Sequence, residues 1–268
     1  MPFASNLMAL CSGGQFGLCG GLAFDRRARA GERIRSERGD VEFGQKPLKG
    51  AAMSNRARMA GEPETIRERF GAEWIADRPA DDRFSPQELV PFGRAWVVRE
   101  NDRGRGVDVM SWDVLGGQTK RSSVAGSPPR PLAMTSVRSL GLPQWRRLAE
   151  RPENRCIIPL TEFCHLAREK DVEKGTKGEM WFACADQPIF GVAGLSQMIG
   201  DKLGFAMVTC DANDVVAPIH PKAMLTILAE EAWDRWLGGS YDDLVSLQQP
   251  YAADCMTVRG PVFPSRDA

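Results

Sequence analysis

Apolar residues at helical spacing predict three helices. Ile66, Phe70 and Trp74 recur every four residues, behind a proline that suits the first turn of a helix. They predict an amphipathic helix that ends between residues 71 and 75. Two further helices, each with tryptophan on its apolar side, are expected around residues 143–150 and 230–237.

Short apolar runs that are rich in β-branched residues predict strands. These runs lie at residues 95–98, 107–114, 156–158, 180–184, 189–195, 205–210 and 223–228. Strands outnumber helices, and the two do not alternate regularly along the chain. We therefore expect an α+β fold whose core is a largely antiparallel, barrel-like sheet flanked by short helices.

Polar segments rich in Gly, Pro and charged residues predict loops at 77–86, 116–131 and 168–178. The segment 116–131 is the longest of them and carries Lys120 and Arg121. A long basic loop is unusual inside a compact domain unless it has a function. This loop is therefore a candidate functional segment.

Residues 155–165, RCIIPLTEFCH, bring two proton-transfer groups close together. The apolar part reaches Pro159 and predicts a buried strand, after which polar residues predict a loop. Glu162 and His165 follow within one turn of chain. Composition alone favours a core strand that runs into a loop, so a functional interpretation depends on motifs found elsewhere in the chain.

Composition and charge exclude several classes of function. Lys and Arg total 35, as do Asp and Glu, so no overall positive field attracts a polyanion, and any DNA contact needs a local basic groove. Seven scattered cysteines and only two histidines argue against structural zinc, and we expect no cofactor. Free thiols indicate a reducing compartment, and no apolar run is long enough to span a bilayer. We expect a soluble, cytoplasmic monomer.

Residues 1–52 differ from the rest of the chain. They are Gly-rich and mildly apolar up to residue 24, and then dominated by Arg, Gly and Glu. Three interpretations stay open: a disordered tail, a targeting segment, or upstream translation ahead of a start at Met53. The apolar stretch lacks the preceding positive region of a secretory signal, which favours the first or the last. We expect one domain over 53–262 and a short tail at 263–268.

Five short motifs occur in a particular order along this predicted domain. They are Met-Ser-Asn-Arg at 53–56, the strand with Trp112, Met-Thr-Ser-Val-Arg at 134–138, Arg-Cys-Ile-Ile-Pro at 155–159 and Pro-Ile-His-Pro-Lys-Ala-Met at 218–224. Their order and spacing resemble the SOS-response-associated peptidase (SRAP) family. The resemblance implies a part in the DNA-damage response and single-stranded DNA with abasic sites as partner, so that the DNA-bound protein would lie on the bacterial nucleoid.

The family's chemistry implies roles for particular residues. In the family, removal of the initiator Met frees a Cys whose α-amine forms a Schiff base with the opened sugar, and whose thiol then closes a thiazolidine. Asn, Glu and His residues orient the groups and move protons. The catalytic positions fall on Ser54, Ser136, His165 and His220. The positions that look DNA-facing are Asn55, Arg56, Trp112 and Arg138.

Three of the four catalytic positions depart from the family pattern, because Ser54, Ser136 and His165 replace Cys, Asn and Glu. A Ser hydroxyl is far less acidic than a thiol and a poorer nucleophile at neutral pH. The α-amine would still react if the chain is processed before Ser54. His165 replaces a carboxylate with a group that is half-protonated at about pH 6.5. Glu162 is a candidate substitute carboxylate if its loop turns inward.

Two hypotheses from different classes follow. In the first, the protein processes itself before Ser54 and reacts with abasic sites through the freed α-amine. In the second, it is a non-covalent module that keeps the DNA groove and has lost the covalent chemistry. A protease dyad of His220 with Cys156 or Cys210 is disfavoured, because both cysteines lie in apolar strands, where thiols are usually inert.

Overall fold

The computed structural model of the protein describes residues 56–75, 87–120 and 130–263. The predicted loop at 77–86 falls wholly outside these residues, and so does the middle of the loop predicted at 116–131. Ser54 and Asn55 lie outside them too, together with the whole segment 1–52.

Strands are the commonest regular structure in the described chain. They are β1 (Arg56–Arg58), β2 (Glu73–Trp74), β3 (Glu88–Leu89), β4 (Arg94–Asn101), β5 (Gly104–Ser111), β6 (Val114–Lys120), β7 (Arg130–Met134), β8 (Ser136–Val137), β9 (Arg155–Leu160), β10 (Glu162–Lys170), β11 (Lys177–Cys184), β12 (Phe190–Ile199), β13 (Lys202–Cys210), β14 (Met224–Leu225), β15 (Ile227–Leu228) and β16 (Met256–Val262). The helices are α1 (Pro63–Phe70), α2 (Pro143–Ala149), α3 (Trp233–Gly238) and α4 (Tyr241–Leu247), with 3-10 turns at Pro152–Asn154, Glu230–Ala232 and Ala253–Cys255. The predicted α+β class is confirmed.

Five strands close into a barrel-like ring. β12 pairs antiparallel with β13 and β9, and β4 pairs antiparallel with β9 and β5. A parallel pairing of Ser111 in β5 with Gly204 in β13 closes the ring. A Cβ atom at Gly204 would overlap the backbone carbonyl of Asp113, so the close approach of the two strands depends on glycine at this position.

A second sheet, with strand order β16-β11-β10-β1-β3, carries much of the candidate site. β10 runs antiparallel to β1 on one side and to β11 on the other. Because side chains alternate along a strand, Phe163 and His165 share one face of β10, and Glu162 and Cys164 share the other. The rings of Phe163 and His165 touch edge to face on the first of these, with centroids 5.6 Å apart.

Aromatic side chains attach the helices to the ring. Phe70 of α1 stacks on Trp233 of α3 with ring centroids 4.3 Å apart. Trp236 is fully buried and donates its indole N–H to the carbonyl oxygen of Cys156 in β9, at 3.0 Å. Buried aromatic rings contribute a large share of core stability, and the polar end of Trp is satisfied here by the strand backbone. The helices thereby fix β9, the strand that leads directly into β10.

Several local predictions are confirmed, and one near the candidate site is wrong. The helix around 143–150 is α2, and the strands around 95–98 and 107–114 form the hairpin of β4 and β5. The polar stretch after Pro159, predicted as a loop, is instead strand β10. The side chain of Glu162 pairs with Arg58 of the adjacent strand β1 and with Arg259 of β16, two strands away in the sheet. These ion pairs let a strand with polar residues form here.

Four further predictions need correction. The first helix ends at Phe70, because Gly71 follows in a left-handed conformation with φ 56°, and Trp74 belongs to β2. The segment 116–131 begins and ends in strand, since β6 pairs with β7. The helix at 230–237 is not the last, because α4 follows behind a capping box of Ser240 with Asp243. The strand expected at 223–228 is divided into β14 and β15.

Candidate functional site

A pocket with about 340 Å³ of empty space, part of it open to solvent, lies among β1, β8, β10 and β13. Four of the residues singled out from the sequence line it: Arg56, Trp112, Ser136 and His165. They come from separate parts of the chain and meet because β1 and β10 are neighbours in one sheet, while β8 pairs with β13 of the ring. The pocket is therefore the candidate functional site.

His165 is a buried imidazole without hydrogen bonds. It is 3% exposed, and neither ring nitrogen has a hydrogen-bond partner among the residues that the structure describes. Burial, and then the nearby His220, lower the pKa of His165 to about 3. The ring is therefore neutral at physiological pH and offers one N–H donor and one lone pair to whatever enters the pocket.

His220 lies flat against His165. The two rings are nearly parallel, 5° apart, with centroids separated by 4.4 Å. His220 Nδ1 is 2.7 Å from the carbonyl oxygen of Ala223, and because a carbonyl oxygen only accepts, the Nδ1 atom carries the proton. This contact fixes the tautomer of His220 and leaves the lone pair on Nε2. The structure thus joins the two histidines of the chain into one stacked pair.

Ser136 and Trp112 build the opposite part of the pocket. Ser136 in β8 is held by its pairing with Met207 of β13. Trp112 is 4% exposed, donates its indole N–H to the carbonyl of Thr135 at 2.9 Å, and stacks on Phe205 with centroids 6.2 Å apart. Trp112 therefore forms a fixed wall of the pocket, with little of its ring facing solvent.

Arg138 is at the protein surface and does not line the pocket. Its side chain is 48% exposed and forms an ion pair with Asp211. Its backbone carbonyl accepts a hydrogen bond of 2.9 Å from the side-chain amide of Gln248. Gln248 also donates to the carbonyl of Thr209 at 2.7 Å, so the backbone around Arg138 is fastened while its guanidinium stays accessible.

Glu162, the candidate substitute carboxylate, lies on the face of β10 opposite to His165 and is not among the pocket-lining residues. It accepts two hydrogen bonds of 2.8 Å from Arg259 and one of 3.3 Å from Arg58. The hydrogen bond from Arg259, the largest cause, lowers the pKa of Glu162. The carboxylate is therefore charged and already occupied by two guanidinium groups.

Arg56 connects the pocket to a charged face of the same sheet. Its guanidinium donates to Glu179 and to Glu88 on the Glu162 face of the sheet, while the residue itself is among those that line the pocket. Glu179 is 6% exposed, and its second oxygen accepts the indole N–H of Trp181 at 3.2 Å. Arg58 lies over the Trp181 ring, 3.8 Å from its centroid.

Sequence reasoning missed this charged face. Its signal is an alternation of charged or aromatic residues with apolar ones, because Arg56 and Arg58 flank Ala57, and Glu179 and Trp181 flank one Met. Such an alternation predicts a strand with one polar face. Which strands lie side by side is set by the fold, so the partners cannot be assigned from the alternation alone.

The cysteines suggested for a protease dyad are buried and unreactive. Burial raises the pKa of the Cys210 thiol to about 11, and raises that of the Cys156 thiol still further. A thiolate is the reactive form of cysteine, and neither group supplies it at neutral pH. The structure gives no support to the dyad.

Two negative observations hold for the described residues. Within 56–75, 87–120 and 130–263, no three or more His, Cys, Asp or Glu residues gather in a way that could hold a metal ion. In the same ranges, no helix has the length and apolar character needed to cross a membrane.

A closed β-ring joined to a second sheet, with a mostly apolar pocket beside strand β1, defines the class: an α+β domain with one candidate site among its described residues. The family model described as SOS response associated peptidase (SRAP) matches residues 53–262. The chain belongs to this family. Membership associates it with the SOS response to DNA damage.

Solved structures show the same fold. One protein from Bacteroides thetaiotaomicron has a TM-score of 0.58 at 18% identity, covering 78% of this chain and 96% of its own. One from Bordetella bronchiseptica has a TM-score of 0.57 at 22% identity, and the match covers 76% of this chain and 97% of that protein. A phage-related protein from Bordetella bronchiseptica has a TM-score of 0.55 at 16% identity, and the match covers 80% of this chain and 94% of that protein. No curated protein sequence matches the chain.

Proposed function

We propose that this protein recognises abasic sites in single-stranded DNA, and that the pocket beside His165 receives the sugar that lacks its base. The observation that carries the proposal is the buried imidazole of His165, which lines a pocket open to solvent and has no hydrogen-bond partner among the described residues. A buried polar group without a hydrogen bond costs about 1–3 kcal/mol. A sugar that brings hydroxyl or aldehyde oxygens into the pocket would recover that cost.

The position of the pocket along the chain also supports this proposal. Arg56, the first described residue, lines the pocket, and Ser54 precedes it by two residues. Two residues of extended chain reach about 7 Å. An α-amine at Ser54 would thus be within reach of a sugar aldehyde bound near Arg56, once Met53 and everything before it are removed.

We further propose that attachment, where it occurs, is reversible. The Ser54 amine would add to C1′ of the open-chain aldehyde, and loss of one water would leave a Schiff base. The Ser hydroxyl could then add across the C=N bond to close an oxazolidine, which we expect to reopen more readily than a thiazolidine. Because the pKa of His165 is about 3, this ring holds no extra proton to donate at neutral pH.

A non-covalent binding module is the second candidate. The observation that favours it is the neutral, stacked imidazole of His165 at the position where the resemblance implies a carboxylate. A neutral ring can accept or donate one hydrogen bond, but it cannot stabilise a nearby ammonium group as a carboxylate does. Binding of the sugar would persist, while the step after binding would be lost.

A borohydride-trapping experiment separates the two candidates. The full chain and a chain started at Met53 are mixed with a labelled oligonucleotide that carries one abasic site, with and without sodium borohydride, and run on a denaturing gel. Reversible attachment predicts a shifted band from the Met53-started chain that depends on borohydride. Ser54→Cys should give a shifted band that survives heat without reduction.

Matched DNA controls decide the outcome. A tetrahydrofuran analogue has no aldehyde and should give no band in any lane. If no borohydride-dependent band forms, but native gels show tighter binding to abasic than to intact DNA, the non-covalent module is correct. Equal binding to abasic and intact DNA, together with no trapped band, contradicts the proposal as a whole.

A further inference from the structure

Two arginines of β1 converge on one carboxylate at the outer face of the five-stranded sheet. Glu88 accepts from Arg56 through Oε2 and from Arg58 Nη2 through Oε1, the latter at 2.8 Å. Each oxygen of the carboxylate therefore has its own guanidinium partner. A phosphodiester also presents two negatively charged oxygens on one atom, and guanidinium groups bind carboxylate and phosphate with the same geometry.

Both arginines have a second anchor that does not involve Glu88. Arg56 also donates to Glu179, whose side chain is 7% exposed and is fixed by the Trp181 indole. Arg58 is stacked on the Trp181 ring at 3.8 Å and reaches a second carboxylate at 3.3 Å. The two guanidinium groups would keep their places if Glu88 moved away. They form a preorganised site for an anion.

Glu88, in contrast, lies at an exposed edge of the sheet. It belongs to β3, a strand of two residues at the end of the sheet order, next to β1. Its side chain is 37% exposed, the most of the three carboxylates in this cluster. Exposed ion pairs add little net stability because water screens them and the side chains lose freedom. A competing anion can therefore displace Glu88 at low cost.

We propose that Arg56 and Arg58 form a binding site for a backbone phosphate of single-stranded nucleic acid, and that Glu88 occupies this site in the free protein. The residue Arg56 is also among those that line the pocket, so the phosphate site and the pocket meet at the start of β1. With Arg259 included, the cluster holds three arginines and three glutamates, so displacing Glu88 leaves one net positive charge. The assignment of this phosphate to a DNA strand rests on the proposed function.

The test uses the full chain and a labelled single-stranded oligonucleotide without abasic sites. Fluorescence anisotropy gives Kd over a range of NaCl concentrations for the unmodified protein and for Glu88→Gln. Glu88→Gln removes the charge but keeps the shape of the side chain, so we expect Kd to fall about 3- to 10-fold at low salt. The slope of log Kd against log salt should steepen by about 0.7 for each additional phosphate that the protein neutralises.

Two variants serve as controls. Glu230→Gln removes another exposed carboxylate, which pairs with Arg69 on a different part of the surface, and should leave Kd and slope unchanged. Adding Arg58→Gln to Glu88→Gln should bring the slope back toward that of the unmodified protein. An unchanged Kd and slope in Glu88→Gln overturns the site, and so does an equal increase in affinity in Glu230→Gln.

Two further titrations identify the ligand. Inorganic phosphate is added as a competitor at constant ionic strength; displacement of the oligonucleotide at millimolar phosphate would make free phosphate the ligand and overturn the nucleic-acid assignment. An oligonucleotide with one abasic site is titrated in parallel. A preference for abasic DNA with no effect of Glu88→Gln overturns the phosphate site alone. Equal binding of both oligonucleotides, with the Glu88→Gln effect present, overturns abasic-site recognition alone.

Discussion

The two faces of strand β10 place residues that are close in sequence in opposite environments. On one face, Glu162 is charged and bound by two guanidinium groups. On the other, His165 is neutral, deeply buried and without a hydrogen-bond partner among the described residues. The outer face is satisfied before any ligand arrives, whereas the pocket face forms hydrogen bonds only when something enters.

Under the two proposals, this difference predicts two kinds of recognition. Contacts on the outer face exchange one ion pair for another, so their strength depends on salt and on competition among charges. Contacts in the pocket satisfy polar atoms that water reaches poorly, so they depend on the shape and hydrogen-bonding groups of the ligand. The expected contributions of the two faces can be compared by variants that remove one and leave the other.

The largest expected effect is acid sensitivity caused by His165. The pKa of His165 is lowered to about 3, so between that value and about 6.5 the unfolded chain binds a proton that the folded protein does not. The free energy of unfolding therefore falls as the pH is lowered through this window, by about 2 kcal/mol from pH 7 to pH 5. Urea unfolding of the unmodified protein and of His165→Phe at both pH values measures it.

His165→Phe should lose most of that pH dependence and keep its stability at pH 7, because it removes two unpartnered polar atoms and fits beside Phe163 and Phe182. If the pH dependence of the free energy of unfolding persists at full size in His165→Phe, the buried His165 is not its cause. Glu162 does not affect this measurement. Its pKa is lowered in the folded protein, so its effect on the free energy of unfolding changes only at pH values below the ordinary pKa of a glutamate.

A smaller effect is expected on the outer face. Glu162→Gln leaves Arg58 and Arg259 without their shared carboxylate, and should lower the free energy of unfolding at pH 7 by about 1 kcal/mol, because the cluster is partly exposed. Urea unfolding at low salt measures the loss. Glu230→Gln, which breaks a more exposed pair with Arg69, is the matched control and should change stability less.

The smallest effect is a change with salt that distinguishes the two faces. In about 1 M NaCl the cost of Glu162→Gln should shrink to a few tenths of a kcal/mol, because screened charges lose most of their attraction. The pH effect of His165 should hardly change, since it is caused mainly by burial. Equal salt sensitivity of both quantities would mean that the two faces are not distinct in the way described.

Local sequence patterns predicted the elements whose contacts are local. Helix α2 and the β4–β5 hairpin are formed by residues close together in the chain, and both were predictable from apolar spacing and turn residues. β10 was predicted as a loop because its polar residues look solvent-exposed until the charges on β1 and β16 are known. The five motifs together indicated the family, which no single one of them does.

The candidate site could be predicted only in part. Arg56, Ser136 and His165 were identified from the resemblance, and they line one pocket. The stacking of His165 on His220, and the sharing of Glu88 by two arginines, depend on distances between strands that are remote in the chain. The places of Ser54 and Asn55 in the site stay predictions.

The pairing of Ser111 with Gly204 also sets the order in which the molecule is assembled. Contacts between remote parts of a chain form only after the residues between them have been made and organised. Trp112 follows Ser111 directly and stacks on Phe205, the neighbour of Gly204, so ring closure and the pocket wall depend on the same two strands. During synthesis, a chain that has emerged only as far as β12 lacks Met207 and Leu225 of the pocket lining, so the candidate site is complete only once nearly the whole domain has left the ribosome.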